Sequence, residues 1–302
     1  MSRPVKRAKT FERTTLKGHT DHTEADEDLI KEVTGGFIGG VQSAVHYVAT
    51  VFVAAWNSPK FPGTGYTQRE GADLREVWVP AGSVVLWRSD VVHTNKKEGD
   101  WNYDDYPVDV QCNPHEVLHY LIKYGVAVVP YIMGSAYARD KARQLMDVVA
   151  SHSPTGVPTA PPGSGGCMIV NTCGIPYHPL VQELRLDPTV KVLFSLIYGT
   201  SDLVLSADSI TYRPAKIPGD DPRRAGIFIS WGPAAAQEPG VAEAKLKRAE
   251  AGGTMRHTPF RCEKNGGPGH MSNSKDPAKR WKIVLYPIST ETKYAFGFAD
   301  TL

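Results

Sequence analysis

His19-Thr20-Asp21 sets an imidazole and a carboxylate two positions apart, so on a strand both side chains leave from one face. Further on, Pro80-Ala81-Gly82 reads as a tight turn, Ser83 to Trp87 as an apolar strand, and His93 stands beyond that strand's far end. Two imidazoles and one carboxylate around an open face suit a non-haem Fe(II) ion and leave positions for a bidentate cosubstrate and O₂. His19, Asp21 and His93 are therefore the candidate metal ligands. His22 is an alternative to His19, and Asp26 to Asp21. The plainer alternative is a polar turn and a histidine that merely ends a strand.

A second constellation is His115-Glu116-Val117-Leu118-His119, which fits H-E-x-x-H, the helical zinc motif of metalloproteases. Its histidines, four apart, share a helix face, and Glu116 would be the base. The following Val126–Val129 is strand-like, which leaves a helix of about two turns, a short support for a catalytic site. The ordinary reading is two surface histidines on a capping helix. Lys245-Leu246-Lys247-Arg248, with Arg256, His257 and Arg261, has the charge to touch phosphate, but Glu243 and Glu250 on the same helix balance it as surface pairs. Gly266-Gly267-Pro268-Gly269 has no following Lys-Ser/Thr and is no phosphate loop. Cys112, Cys167, Cys173 and Cys262 show no CxxC spacing, so free thiols are expected rather than a structural zinc site. Cys167 and Cys173 are close enough in sequence to pair under oxidation.

The elements that must carry these groups are short. With 23 prolines and 28 glycines, the chain favours strands and turns over long helices. Strands are expected over Val41–Val53, Glu76–Val79, Ser83–Trp87, Val126–Val129, Asp202–Leu205, Arg224–Trp231 and Trp281–Tyr286. Helices are expected from His115, over Ser135–Val149, Leu180–Leu186, Thr189–Tyr198 and Ala242–Ala251. Asn113-Pro114 supplies a cap and a first-position proline, and Ser135 can cap the longest helix, whose stripe is Ala138, Ala142, Leu145, Met146 and Val149. Loops are expected over 57–72, 95–111 and 152–166. The class is mostly β with helices, α+β, and the pattern fits a β-sandwich or jelly roll buttressed by helices.

The stretch 15–95 resembles the catalytic half of the phytanoyl-CoA dioxygenase-like Fe(II)/2-oxoglutarate oxygenases. In that family an H-x-D lies near the start of a double-stranded β-helix, and the distal histidine follows a P-x-G-S/D strand, here Pro80 to Trp87. The second half is similar to the same family in a different order. Leu121 to Pro130 matches its early G-h-h-h-h-P strand, Leu196 to Leu203 the segment ahead of the barrel, and Pro222 to Pro233 the strand after the distal histidine. The resemblance implies a cupin-like double-stranded β-helix with Fe(II) on His19, Asp21 and His93. It also implies 2-oxoglutarate as cosubstrate, its far carboxylate held by Arg224 or, second, Arg223, since a guanidinium binds a carboxylate through two parallel hydrogen bonds. The family order corresponds here to 112–214, then 15–95, then 215–302. The expected organisation is a basic tail (1–14) and one domain (15–302). Within it, metal-site strands occupy 15–95, a linker 96–112, helical support and first strands 113–214, and closing strands with a C-terminal extension 215–302. The expected activity is hydroxylation of a small-molecule or protein substrate. The alternatives are a catalytically inactive jelly-roll module with a binding or structural role, and the zinc metalloprotease.

Composition narrows the setting. The chain has 302 residues, 41% hydrophobic and 22% charged, ordinary for a soluble domain. A net charge of +2 gives no bulk attraction to nucleic acid or membrane, and no apolar run reaches the ~20 residues that span a bilayer. An intracellular, cytoplasmic location is expected. Lys6-Arg7-Ala8-Lys9 is a candidate nuclear address.

Overall fold

A computed structural model describes residues 37–38, 41–42, 47–54, 64–67, 75–77, 79–89, 92–94, 110–157, 168–171, 173–213, 224–255, 259–260 and 280–298. Strands β1 (Phe37–Ile38), β2 (Val41–Gln42), β3 (Tyr47–Ala54), β4 (Thr64–Thr67), β5 (Arg75–Val77), β6 (Ser83–Arg88) and β7 (Val92–Thr94) come first. A 3₁₀ turn (Pro114–Glu116), helix α1 (Val117–Tyr124), strand β8 (Val126–Val129), helix α2 (Ser135–His152) and strand β9 (Met168–Val170) follow. After a 3₁₀ turn (Ile175–Tyr177) come helices α3 (Pro179–Arg185) and α4 (Pro188–Tyr198). Strands β10 (Leu203–Leu205), β11 (Ile210–Arg213), β12 (Arg224–Ile229) and β13 (Trp231–Pro233) precede helices α5 (Val241–Glu250) and α6 (Thr290–Ala295). The protein is α+β with antiparallel sheets.

The largest sheet has six strands in the order β8-β6-β3-β12-β11-β9, each neighbour antiparallel. Its two middle members on one side, β6 and β3, come from residues 47–88, while their flanking partners come from 126–129 and 224–229. Strands need adjacency in space, not in sequence, and long connections add only modest closure entropy. Smaller antiparallel sheets pair β5-β4-β7, β10-β13 and β1-β2.

Strand β6 starts from the expected turn. Ser83 donates its N–H to Pro80 O (3.2 Å), and Gly82 takes φ +84°, the third-position conformation of a type II turn. The strand is apolar from Val84 to Trp87 because both faces of the sheet are covered. Val84 and Leu86 enter the main core with Ala49, Ala127, Val129, Ile227 and helix residues such as Leu145 and Val149. Val85 and Trp87 lie on the other face with Val126, Val128 and Phe228, the Trp87 and Phe228 rings meeting edge-on at 6.4 Å. Helix α2 packs on β3, and its buried stripe contains all five expected residues.

Several details differ from expectation. Gly134 (φ +72°), not Ser135, occupies the N-cap of α2; the Ser135 hydroxyl instead reaches Ala81 O (3.4 Å). Strand β4 falls in the expected 57–72 loop, and β9, β11 and α6 are additional elements. The end of the 95–111 loop is an isolated parallel bridge on the edge of β8, with Cys112 N–H on Val128 O and Val128 N–H on Val110 O, both 2.9 Å. Trp281–Tyr286 forms no strand. Its amides at Lys282 and Val284 bond instead to His152 O (2.8 Å) and Cys173 O (3.2 Å), isolated carbonyls at a helix end and a turn.

Candidate functional site

His19, Asp21 and Arg223 lie outside the described residues, as do the alternatives His22 and Asp26. The other two candidates have a described backbone. His93 is the middle residue of β7, opposite Tyr66 of β4, and so belongs to the three-stranded sheet. It does not end the Ser83–Trp87 strand, as its sequence position suggests. The chain leaves the six-stranded sheet after Arg88 and enters a different one at Val92. Arg224 is the first residue of β12, opposite Arg213 of β11, in the six-stranded sheet.

The H-E-x-x-H segment is divided between two elements. His115 and Glu116 are in the 3₁₀ turn, His119 is on α1, and all three are exposed. The Glu116 carboxylate accepts from Asn113 N–H (2.9 Å) and Asn113 Nδ2 (3.0 Å), which closes the start of the helix. Hydrogen bonding to Asn113 accordingly holds its carboxyl below the usual range. Among the described residues, no three His, Cys, Asp or Glu side chains converge as a metal site.

The basic segment on α5 is less exposed than its composition implies. Lys245 is fully buried, its ammonium 5.9 Å from the Phe296 ring centroid. Arg248 donates through Nε to Thr254 O (3.1 Å) and lies against Gly253. Lys245 thus packs against the end of α6, and Arg248 against the turn that follows α5.

Two buried polar groupings lie outside the sequence-derived set. In the first, Arg185 at the end of α3 donates Nη1 to Pro176 O (3.1 Å) and Nη2 to Asp208 O (2.7 Å), with the Tyr177 ring 5.8 Å away. Tyr177 donates its hydroxyl to Gly253 O (2.9 Å), and burial pushes its phenol well up. Burial also draws Arg185 down, offset by Tyr177 and Asp208. Asp208 sits where the chain passes from the β10–β13 ladder to the β11–β12 ladder. There Ser206 and Ser230 exchange bonds across the corner: Ser206 N–H to Ser230 O (2.8 Å) and Ser230 N–H to Ser206 Oγ (3.1 Å). This arrangement fixes a sheet corner: both Nη groups of Arg185 are taken up by main-chain carbonyls, while its buried Nε has no hydrogen-bond partner among the described residues.

In the second grouping, His152 at the end of α2 and His178 at the start of α3 flank Tyr286. His152 Nδ1 donates to Val148 O (2.8 Å), which leaves Nε2 as acceptor for the Tyr286 hydroxyl (3.2 Å). His178 Nδ1 accepts from Leu180 N–H (3.2 Å), an imidazole in the N-cap role. The one signal in the sequence was position: His152 continues the stripe of Leu145 and Val149 at helical spacing.

No protein-family model, curated protein or solved structure matches this chain. Among the described residues no helix is long and apolar enough to cross a membrane. The fold is thus that of an α+β protein with a six-stranded antiparallel sheet covered on both faces and His93 on a separate three-stranded sheet.

Proposed function

We propose that this chain is an Fe(II)- and 2-oxoglutarate-dependent oxygenase built on a double-stranded β-helix with helices packed against one face. One observation carries the reading: the Pro80-Ala81-Gly82 turn leads into a strand of the six-stranded sheet, and within a few residues the chain enters a second antiparallel sheet through β7, whose middle residue is His93. Two antiparallel sheets exchanging consecutive strands are what a jelly roll requires. Supporting it, β12, with Arg224 at its start, lies beside β3, so residues distant in sequence share one sheet.

His19, Asp21 and His93 would hold the iron; two imidazoles and a carboxylate are the donor set that suits it. When bound, iron and 2-oxoglutarate together supply the oxidising chemistry, in which O₂ and 2-oxoglutarate are consumed, succinate and CO₂ leave, and a substrate C–H becomes C–OH. The chain's own residues bind and orient. Arg224, or else Arg223, holds the far carboxylate of 2-oxoglutarate through a two-point contact. Apolar side chains on both faces exclude water from the middle of the sheet whose strand β12 begins at Arg224.

The test is anaerobic titration of the folded protein with Fe(II) and 2-oxoglutarate. A weak visible charge-transfer band is expected, and His93→Ala should abolish it without changing the circular dichroism. A folded wild-type chain giving no band and no Fe(II) binding overturns the proposal in favour of a jelly-roll binding module. Tight zinc binding lost in His119→Ala would overturn it in favour of the protease.

A further inference from the structure

The segment 280–289 is neither strand nor helix, yet it is fastened at both ends. At its start, Lys282 and Val284 donate to His152 O and Cys173 O. At its end, the buried Gln182 side chain clamps it, with Nε2 donating to Pro287 O (3.0 Å) and Oε1 accepting from Ser289 N–H (3.0 Å). Between these points the outward side chains bury little: Ile283 is 56% and Leu285 58% exposed. The central fastening is Tyr286, whose ring lies 5.8 Å from His152 and 4.8 Å, edge-on, from His178.

Hydrogen bonding fits two neutral imidazoles. A carbonyl only accepts, so the contact with Val148 O puts a proton on His152 Nδ1, and in the neutral ring Nε2 is then bare and accepts from the Tyr286 hydroxyl. An amide only donates, so His178 Nδ1 is bare toward Leu180 N–H. A proton on His178 Nδ1 would remove the cap and set a positive charge at the positive end of α3. A proton on His152 would bury a charge facing Tyr286 and near Lys282. The charged and titratable groups bearing on the two rings are Lys282 and Tyr286 of the strap and the rings themselves. The Tyr177 phenol, next to His178 in sequence, is engaged with Gly253 O. Among the described residues no carboxylate contributes to either ring.

We infer that Tyr286, His152 and His178 form an acid-released clasp that holds the C-terminal strap 280–289 against the ends of α2 and α3. In the clasped state burial holds both rings below the ordinary histidine range; at His152 the Val148 hydrogen bond opposes this and Lys282 adds to it, and at His178 the His152 ring adds to it. Released, they return to about 6.5. The clasped state therefore binds fewer protons. The clasp is fully held above that value, weakens as pH falls below it, and stops weakening once the depressed clasped values are passed. With two protons taken up, the opening equilibrium rises by up to about a hundredfold per pH unit inside that window.

Native-state hydrogen exchange between pH 8 and 5, corrected for intrinsic rates, tests this on the Lys282 and Val284 amides. Their opening should rise steeply below about pH 6.5 while amides of β6 and the middle of α2 stay protected. His178→Asn keeps an oxygen acceptor for Leu180 N–H without a titrating group, and should reduce the slope to about tenfold per unit. Tyr286→Phe should loosen the strap at every pH with the slope unchanged. Strap exchange that is flat with pH overturns the inference, as does a wild-type slope in His178→Asn combined with His152→Gln. Simultaneous opening of α2 would also overturn it, since that is global acid unfolding.

Discussion

Arg185 and Asp208 meet through the main chain: the guanidinium donates to the Asp208 carbonyl at 2.7 Å, while the Asp208 carboxylate accepts from Ser209 N–H at 2.7 Å. Both side chains are essentially inaccessible to water. Arg185 therefore ties helix α3 to the corner between the β10–β13 and β11–β12 ladders. Removing its charge leaves two buried carbonyls without donors and a buried carboxylate without its nearby cation. Arg185→Met should destabilise the fold by about 3–5 kcal/mol. Arg185→Lys should cost less but not be neutral, because an ammonium cannot reproduce the two-pronged contact. Urea denaturation measures both, and a shift below about 1 kcal/mol for the methionine variant would refute the bracing role.

Gly174 faces a different constraint. It takes φ +79°, donates its N–H to Gly252 O (3.1 Å), and a methyl group there would overlap the Val284 carbonyl oxygen. A backbone oxygen cannot swing aside as a flexible side-chain tip can. Gly174→Ala should therefore cost about 3 kcal/mol or more, combining left-handed strain with displacement of the strap. Hydrogen exchange should show the loss first at Lys282 and Val284. Wild-type protection at those amides would mean the strap has another anchor.

Local signals made some elements legible and left others hidden. The Ser83–Trp87 strand and the α2 stripe were readable because apolar spacing and turn residues lie within a few positions of each other. Trp281–Tyr286 has the same apolar character as a strand, but among the described residues it forms no ladder; its Lys282 and Val284 amides bond to single carbonyls at His152 and Cys173. Strand β4 lies among glycines and prolines, where propensity opposes it and pairing with β5 and β7 stabilises it. Arg185 and Asp208 look like surface charges in sequence, since only the tertiary fold brings carbonyls to one and α3 to the other. For the candidate metal site, His93 and Arg224 have defined strand positions, whereas the His19–Asp21 pair lies outside the described residues.

Cysteine chemistry gives an independent check on packing. Cys112 is 7% and Cys173 1% exposed, and both are thiols rather than disulfides. Burial, then the Glu116 charge, pushes the Cys112 thiol up to about 12. At pH 8 only about one molecule in ten thousand would carry the reactive thiolate there. Alkylation of the native protein followed by peptide mass spectrometry should leave Cys112 and Cys173 unmodified, with labelling appearing on unfolding. Because the folded thiol titrates above its ordinary value, alkaline pH should erode stability as it passes the unfolded value of about 8.5. Rapid native labelling of Cys112 at pH 8 would contradict the edge packing of 110–112 against β8.

The two candidate arginines, Arg224 and its sequence neighbour Arg223, can be separated by binding. Arg224 has a fixed place on the sheet, opposite Arg213 and on the strand next to β3. A rigid strand holds a two-point donor better than a loop does. A charge-assisted pair of hydrogen bonds to a carboxylate contributes about 2–3 kcal/mol, which corresponds to roughly 30- to 150-fold in affinity. Arg224→Ala should therefore weaken 2-oxoglutarate binding by that factor while Fe(II) binding stays unchanged. Calorimetric titration of each ligand separates the two effects. Arg224→Lys should recover part of the loss, since a single ammonium keeps the charge but loses one of the two bonds. If Arg223→Ala shows the larger loss, the carboxylate anchor is the residue just before the strand. If neither substitution alters 2-oxoglutarate affinity, the cosubstrate is not held from β12 at all, and its assignment to this protein fails with it.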